Sequence, residues 1–98
     1  MAKVTGTTEM IMTVESNTDT RHQITIKGSA GTVGVKFLPT TAIGDADDDF
    51  EEPAENGSID VSDGIGHTLN PPYPTMISKI KFTPSVASEF TAKHVSAP

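Results

Sequence analysis

The densest run of chemically capable side chains is Asp45-Ala46-Asp47-Asp48-Asp49-Phe50. Asp45, Asp47 and Asp49 alternate with the spacing at which a calcium loop places its first three carboxylate ligands. The rest of that motif is missing. Phe50 stands at the sixth position, where the loop needs Gly, and Asn56 at the twelfth, where a bidentate carboxylate belongs. The partial motif therefore competes with a plainer reading, a solvated acidic loop at an exposed apex. His22, His67 and His94 lie far apart, without the His-x-His or His-x-x-x-His spacing that converges on zinc, and are expected to be ordinary surface or edge-strand histidines. No Gly-x-Ser-x-Gly elbow is present, and Gly28-Ser29-Ala30-Gly31 lacks the lysine and following helix of a phosphate loop. Paired carboxylates are plentiful only in the acidic loop, where the burial that would raise a pKa is not expected. With no cysteine, thiol catalysis, thiolate metal sites and disulfides are excluded. These residues point to a protein that is not an enzyme and needs no cofactor.

Two further groups could make contacts. Tyr73, flanked by Pro72 and Pro74, offers an aromatic platform for a sugar or peptide, or a hydrophobic plug where a loop crosses a sheet end. Lys79 and Lys81 share one parity of an alternating run and face water or an acidic partner. The 98-residue chain carries 13 acidic and 7 basic residues, a net charge of −6. That balance disfavours nucleic acid and anionic membrane surfaces. The first residues lack the apolar stretch of a signal peptide, and no run reaches the length of a membrane span, so cytoplasmic synthesis is expected.

The elements that must position these groups read as strands. Residues 76–84 alternate Ile80 and Phe82 against Lys79 and Lys81 until Pro84, which cannot donate to a ladder. A last strand follows over residues 89–95. Residues 9–15 alternate Met10, Met12 and Val14 against Glu9, Ile11 and Thr13; the methionines read as core filler. Ile24 and Ile26 mark residues 21–27, and Val33, Val35 and Phe37 mark residues 32–38; the short Gly-bounded link between them predicts a hairpin. Ile59 and Val61 share a parity between the Asn56-Gly57 and Asp63-Gly64 turns, and a brief strand fits residues 66–69. Turns are frequent and no helical stripe appears. The expected fold is all-β, a small antiparallel β-sandwich or barrel of about seven short strands. Residues 1–8 are expected to form a flexible arm, and residues 9–98 a single β domain with an acidic loop over 39–57.

The order of these parts resembles small β-sandwich virion proteins of tailed bacteriophages, of the capsid decoration and head–tail accessory type. The parts are the Gly-bounded pair from Ile24 to Phe37, a variable acidic stretch, Phe50, then Asn56-Gly57-Ser58-Ile59-Asp60-Val61. Ile77 to Ser85 and Glu89-Phe90-Thr91-Ala92 close the series. The likeness covers roughly residues 24–95. The greater length of the acidic loop and the Pro71-Pro72-Tyr73-Pro74 segment have no counterpart in it. The resemblance implies a structural role: a protein made in the host cytoplasm that joins the virion, binds major capsid or tail subunits, and often forms homo-oligomers, trimers above all. In that setting the arm, with Lys3 and Val4, would order on docking, and Tyr73, Lys79 and Lys81 are the other expected contacts. The alternative is a carbohydrate- or cell-surface-binding module centred on Tyr73; a third reading is a calcium-dependent adhesion unit.

Overall fold

A computed structural model describes residues 2–16, 18–52, 57–71 and 73–98; Asn56 and Pro72 of the turn, calcium and proline readings lie outside them. The described residues form eight strands: β1 (Ala2–Gly6), β2 (Met10–Thr13), β3 (Arg21–Lys27), β4 (Thr32–Pro39), β5 (Ser58–Asp60), β6 (His67–Leu69), β7 (Ile77–Pro84) and β8 (Phe90–Ala97). They assemble into two four-stranded sheets with orders β1-β8-β3-β6 and β2-β7-β4-β5, every pairing antiparallel. The protein is a small all-β sandwich, with one strand more than the alternation suggested.

Alternation explains the layers. β3 is strictly exposed–buried along its length, with Ile24 and Ile26 fully inside, and Val33, Val35 and Phe37 of β4 face them across the gap. Met12, Ile80 and Phe82 complete one wall, and Phe90 and Ala92 the other. The Phe82 and Phe90 rings meet across the core at 6.2 Å between centroids. Met12 is a core residue, and half-buried Met10 packs against the cluster beside it.

Two expectations are corrected. Residues 1–8 are not a loose arm where they are described: β1 pairs with β8 from Ala2↔His94 to Gly6↔Phe90, and Val4 packs against the core. Nor do β3 and β4 form a hairpin. β3 lies between β8 and β6, and β4 between β7 and β5, so the link over residues 28–31 arches from one sheet to the other. Two adjacent runs with the same apolar parity can pair side by side or face one another across a core. Here Gly31 has φ +71° and Gly28 lies so close to Val61 that an added Cβ would come within 2.7 Å of its methyl. The arch uses glycine's open φ and its lack of a Cβ, not a two-strand turn. The turn expected at Asp63-Gly64 is present, with Gly64 at φ +72°.

Candidate functional site

The acidic loop is not a free apex. It lies across the outer face of the β2-β7-β4-β5 sheet. Outward-facing Lys36 of β4 stands directly opposite Lys81 of β7, and Lys79 is two residues away on the same face. Opposed like charges on neighbouring strands repel. Asp47 resolves this by bridging both: Lys36 Nζ donates to Oδ2 at 3.3 Å and Lys81 Nζ to Oδ1 at 3.2 Å. Lys79 Nζ donates to Asp45 at 3.4 Å. A 3-10 turn over Asp47–Asp49 shapes the loop, and Asp49 accepts the Ala46 N–H at 3.0 Å. Hydrogen bonds from Lys81 and Lys36 hold the Asp47 carboxyl below its ordinary pKa.

Phe50 fastens the loop. It is buried, and the Lys81 ammonium sits 4.3 Å from its ring centroid, a cation–π contact. Glu51 then makes a two-way backbone bridge with Phe37 at 2.7 and 2.8 Å, so the loop ends as a one-residue extension of the sheet edge. This corrects the expectation for Lys81. It shares the outward parity of Lys79, yet only 8% of it is exposed, because the loop covers it. The partial calcium motif is corrected by the same geometry: Asp45, Asp47 and Asp49 turn to different partners, and no group of three ligating side chains among the described residues could hold a metal.

The histidines depart furthest from expectation. His22 and His94 occupy the inward parity of β3 and β8 and are buried. They are diagonal neighbours, since His94 stands opposite Ile24 and His22 opposite Ser96. Their rings stack at 5.2 Å with 21° between planes, and His22 Nδ1 lies 3.0 Å from His94 Nε2. His22 Nε2 faces two carbonyls, Asp19 at 2.9 Å and Thr75 at 3.0 Å, so that nitrogen carries hydrogen. In the neutral pair His22 Nδ1 is therefore bare and accepts from His94 Nε2–H. Burial and the neighbouring His22 push His94 below its ordinary pKa, against the pull of Glu15 and Asp19. Around the pair, the Ser96 hydroxyl donates to Asp19 at 2.6 Å and the Thr75 N–H donates to the Thr20 carbonyl at 3.0 Å. The pair thus ties β3 and β8 to the loops before β3 and before β7. His67, by contrast, lies at the surface against Asp63 at 2.9 Å.

Beside His22 runs an open groove of about 580 Å³ lined by Arg21, Gln23, Pro71, Tyr73 and Val95 among others. Tyr73 does not plug the sheet end. It is half exposed and its hydroxyl donates to Glu51 at 3.0 Å, which raises its pKa. Of the residues singled out as contacts, Lys3 is exposed on β1, Val4 is half-buried, and Tyr73, Lys79 and Lys81 fall into two places. Lys79 and Lys81 are drawn together under the acidic loop; Tyr73 lies at the groove. Comparison with protein-family models and with curated proteins returns no match.

Proposed function

We propose that this protein is a non-enzymatic structural component of a bacteriophage virion, a capsid decoration or head–tail accessory subunit that binds capsid or tail proteins. One observation carries the reading: the chain's reactive side chains close on one another. Asp45 and Asp47 pair with three lysines and hold a loop on a sheet; His22 and His94 hold two loops on two strands. Carboxylates and imidazoles used this way brace a scaffold, and they leave the strand faces to make contacts. The sandwich fold and the resemblance of its parts to small virion proteins support the same reading.

Co-expression with phage capsid and tail proteins, followed by sedimentation, tests this. Co-migration with particles or subunit assemblies is expected; a protein that stays at the top of the gradient overturns it. Light scattering on the pure chain tests the trimer expected with this role.

A second reading has its own support. Tyr73 is half exposed beside a groove that also presents Arg21 and Gln23, a ring with polar neighbours that suits a sugar. Retention on immobilised glycans, lost in Tyr73→Ala, would favour this carbohydrate-binding alternative; no retention by the wild type removes it.

A further inference from the structure

The outer face of the β1-β8-β3-β6 sheet has an unusual charge pattern. Its outward positions are Lys3 and Thr5 on β1, Thr91, Lys93, Val95 and Ala97 on β8, Arg21, Gln23, Thr25 and Lys27 on β3, and Thr68 on β6. None is acidic. This face holds four of the seven basic residues of the chain, all exposed, so the rest of the molecule carries −10 (the net −6 less this +4). Among the described residues Lys3, Lys27 and Lys93 form no ion pair; Arg21 donates to the main-chain oxygen of Pro98 at 2.8 Å.

Register sharpens the point. Lys3 stands directly opposite Lys93, as Lys36 stands opposite Lys81 on the other sheet. On that other sheet the repulsion is relieved by Asp47 inserted between the two ammonium groups. The same arrangement is built twice, and only one copy has its carboxylate.

We propose that the outer face of the β1-β8-β3-β6 sheet docks an acidic protein surface, which places a carboxylate between Lys3 and Lys93 as Asp47 lies between Lys36 and Lys81. A flat protein surface fits better than nucleic acid. None of the outward strand positions is aromatic, Tyr73 stands only at the Arg21 end with its hydroxyl held by Glu51, and the −10 on the remaining surface repels a long polyanion that extends past the face. Flanking hydroxyl pairs, Thr5 with Thr91 and Thr25 with Thr68, each at 3.0 Å, add donors for carboxylate oxygens on either side. The inference rests on the assembly reading for the source of that partner, but not for the surface itself.

The test titrates the full labelled chain with a deca-glutamate peptide and, in parallel, with single-stranded DNA of the same charge, followed by amide chemical shifts. Glutamate peptide should move Lys3, Thr25, Thr91 and Lys93, and the shifts should vanish when salt rises from about 0.05 M to about 0.5 M. Lys93→Glu turns an opposed like-charge pair into an attractive one, so it should fold at least as stably as the wild type while peptide affinity falls about tenfold or more. Shifts that fall elsewhere, affinity untouched by Lys93→Glu, or tighter binding of the DNA would each overturn the proposal. In the sedimentation assay the two claims separate. Undiminished co-migration of Lys93→Glu removes this surface and leaves the assembly role; absence of wild-type co-migration removes the role, and the peptide titration still decides the surface.

Discussion

At the scale of single residues, the buried imidazole pair makes stability depend on pH in a defined direction. The Nδ1···Nε2 contact of 3.0 Å has room for one hydrogen, so the closed pair cannot hold two fully protonated rings. His94 has its pKa lowered in the fold, by burial first and by the neighbouring His22 second, against the pull of Glu15 and Asp19. An opened chain takes up that proton near the ordinary value of about 6.5. The contribution of His94 is thus fully present above that value and declines as pH falls below it, by at most about 1.4 kcal/mol per pH unit for one proton. Urea midpoints measured between about pH 7.5 and about pH 5.5 should fall in the wild type and fall less steeply in His94→Gln, which keeps a donor but has no proton to gain. The pair was readable in part. Arg21-His22-Gln23-Ile24 and Phe90-Thr91-Ala92-Lys93-His94 place both histidines on the apolar parity, and extending that parity one step would have put them indoors. Their meeting was not readable, because the register of two strands about seventy residues apart is set by the whole sandwich and by no local signal.

At the scale of elements, the acidic loop shows where sequence patterns stop. Alternation located β3, β4 and β7 and most of their inner faces, but not Ile77, which shares the parity of Lys79 and Lys81 and is fully buried where the β4–β7 register shifts. It could not say that the strands on either side of the Gly28–Gly31 link belong to different sheets, or that Lys81 would be roofed by Phe50. The roof has its own energetics. Phe50→Ala removes a buried ring and the cation–π contact, and should cost about 3 kcal/mol in urea unfolding while making residues 40–52 the first site of proteolysis. Lys36–Asp47 and Lys79–Asp45 are largely exposed, so salt should loosen the loop more than mild acid does. The sign follows from Asp47. Its carboxyl is held below the ordinary value by Lys81 and Lys36, so its contribution persists above that range and is lost only as pH falls through the lowered pKa. Hydrogen exchange near pH 5.5 should therefore show this loop still protected while the segments around the histidines loosen.

At the scale of the whole molecule, β4 and β5 are, among the described strands, the only two both consecutive in sequence and neighbours in a sheet. Every other pairing joins distant segments, so the sandwich is expected to fold in milliseconds to seconds, which stopped-flow refolding would measure. The same topology makes the first strand part of the scaffold. Removing residues 2–6 strips Val4 from the core and bares the edge of β8, and should lower unfolding free energy by about 2 kcal/mol and promote association through that edge. Deletion without loss of stability would return these residues to the status of an arm. The β1–β8 ladder also decides how the protein bears mechanical load. Ala2 lies across from His94, so the chain enters β1 and leaves β8 at the same end of one antiparallel pair. A force that separates the ends meets the ladder's hydrogen bonds one after another, as a zipper does, and never loads them together in shear. Pulled by its ends the sandwich should yield at low force; gripped by its sheet faces it should resist.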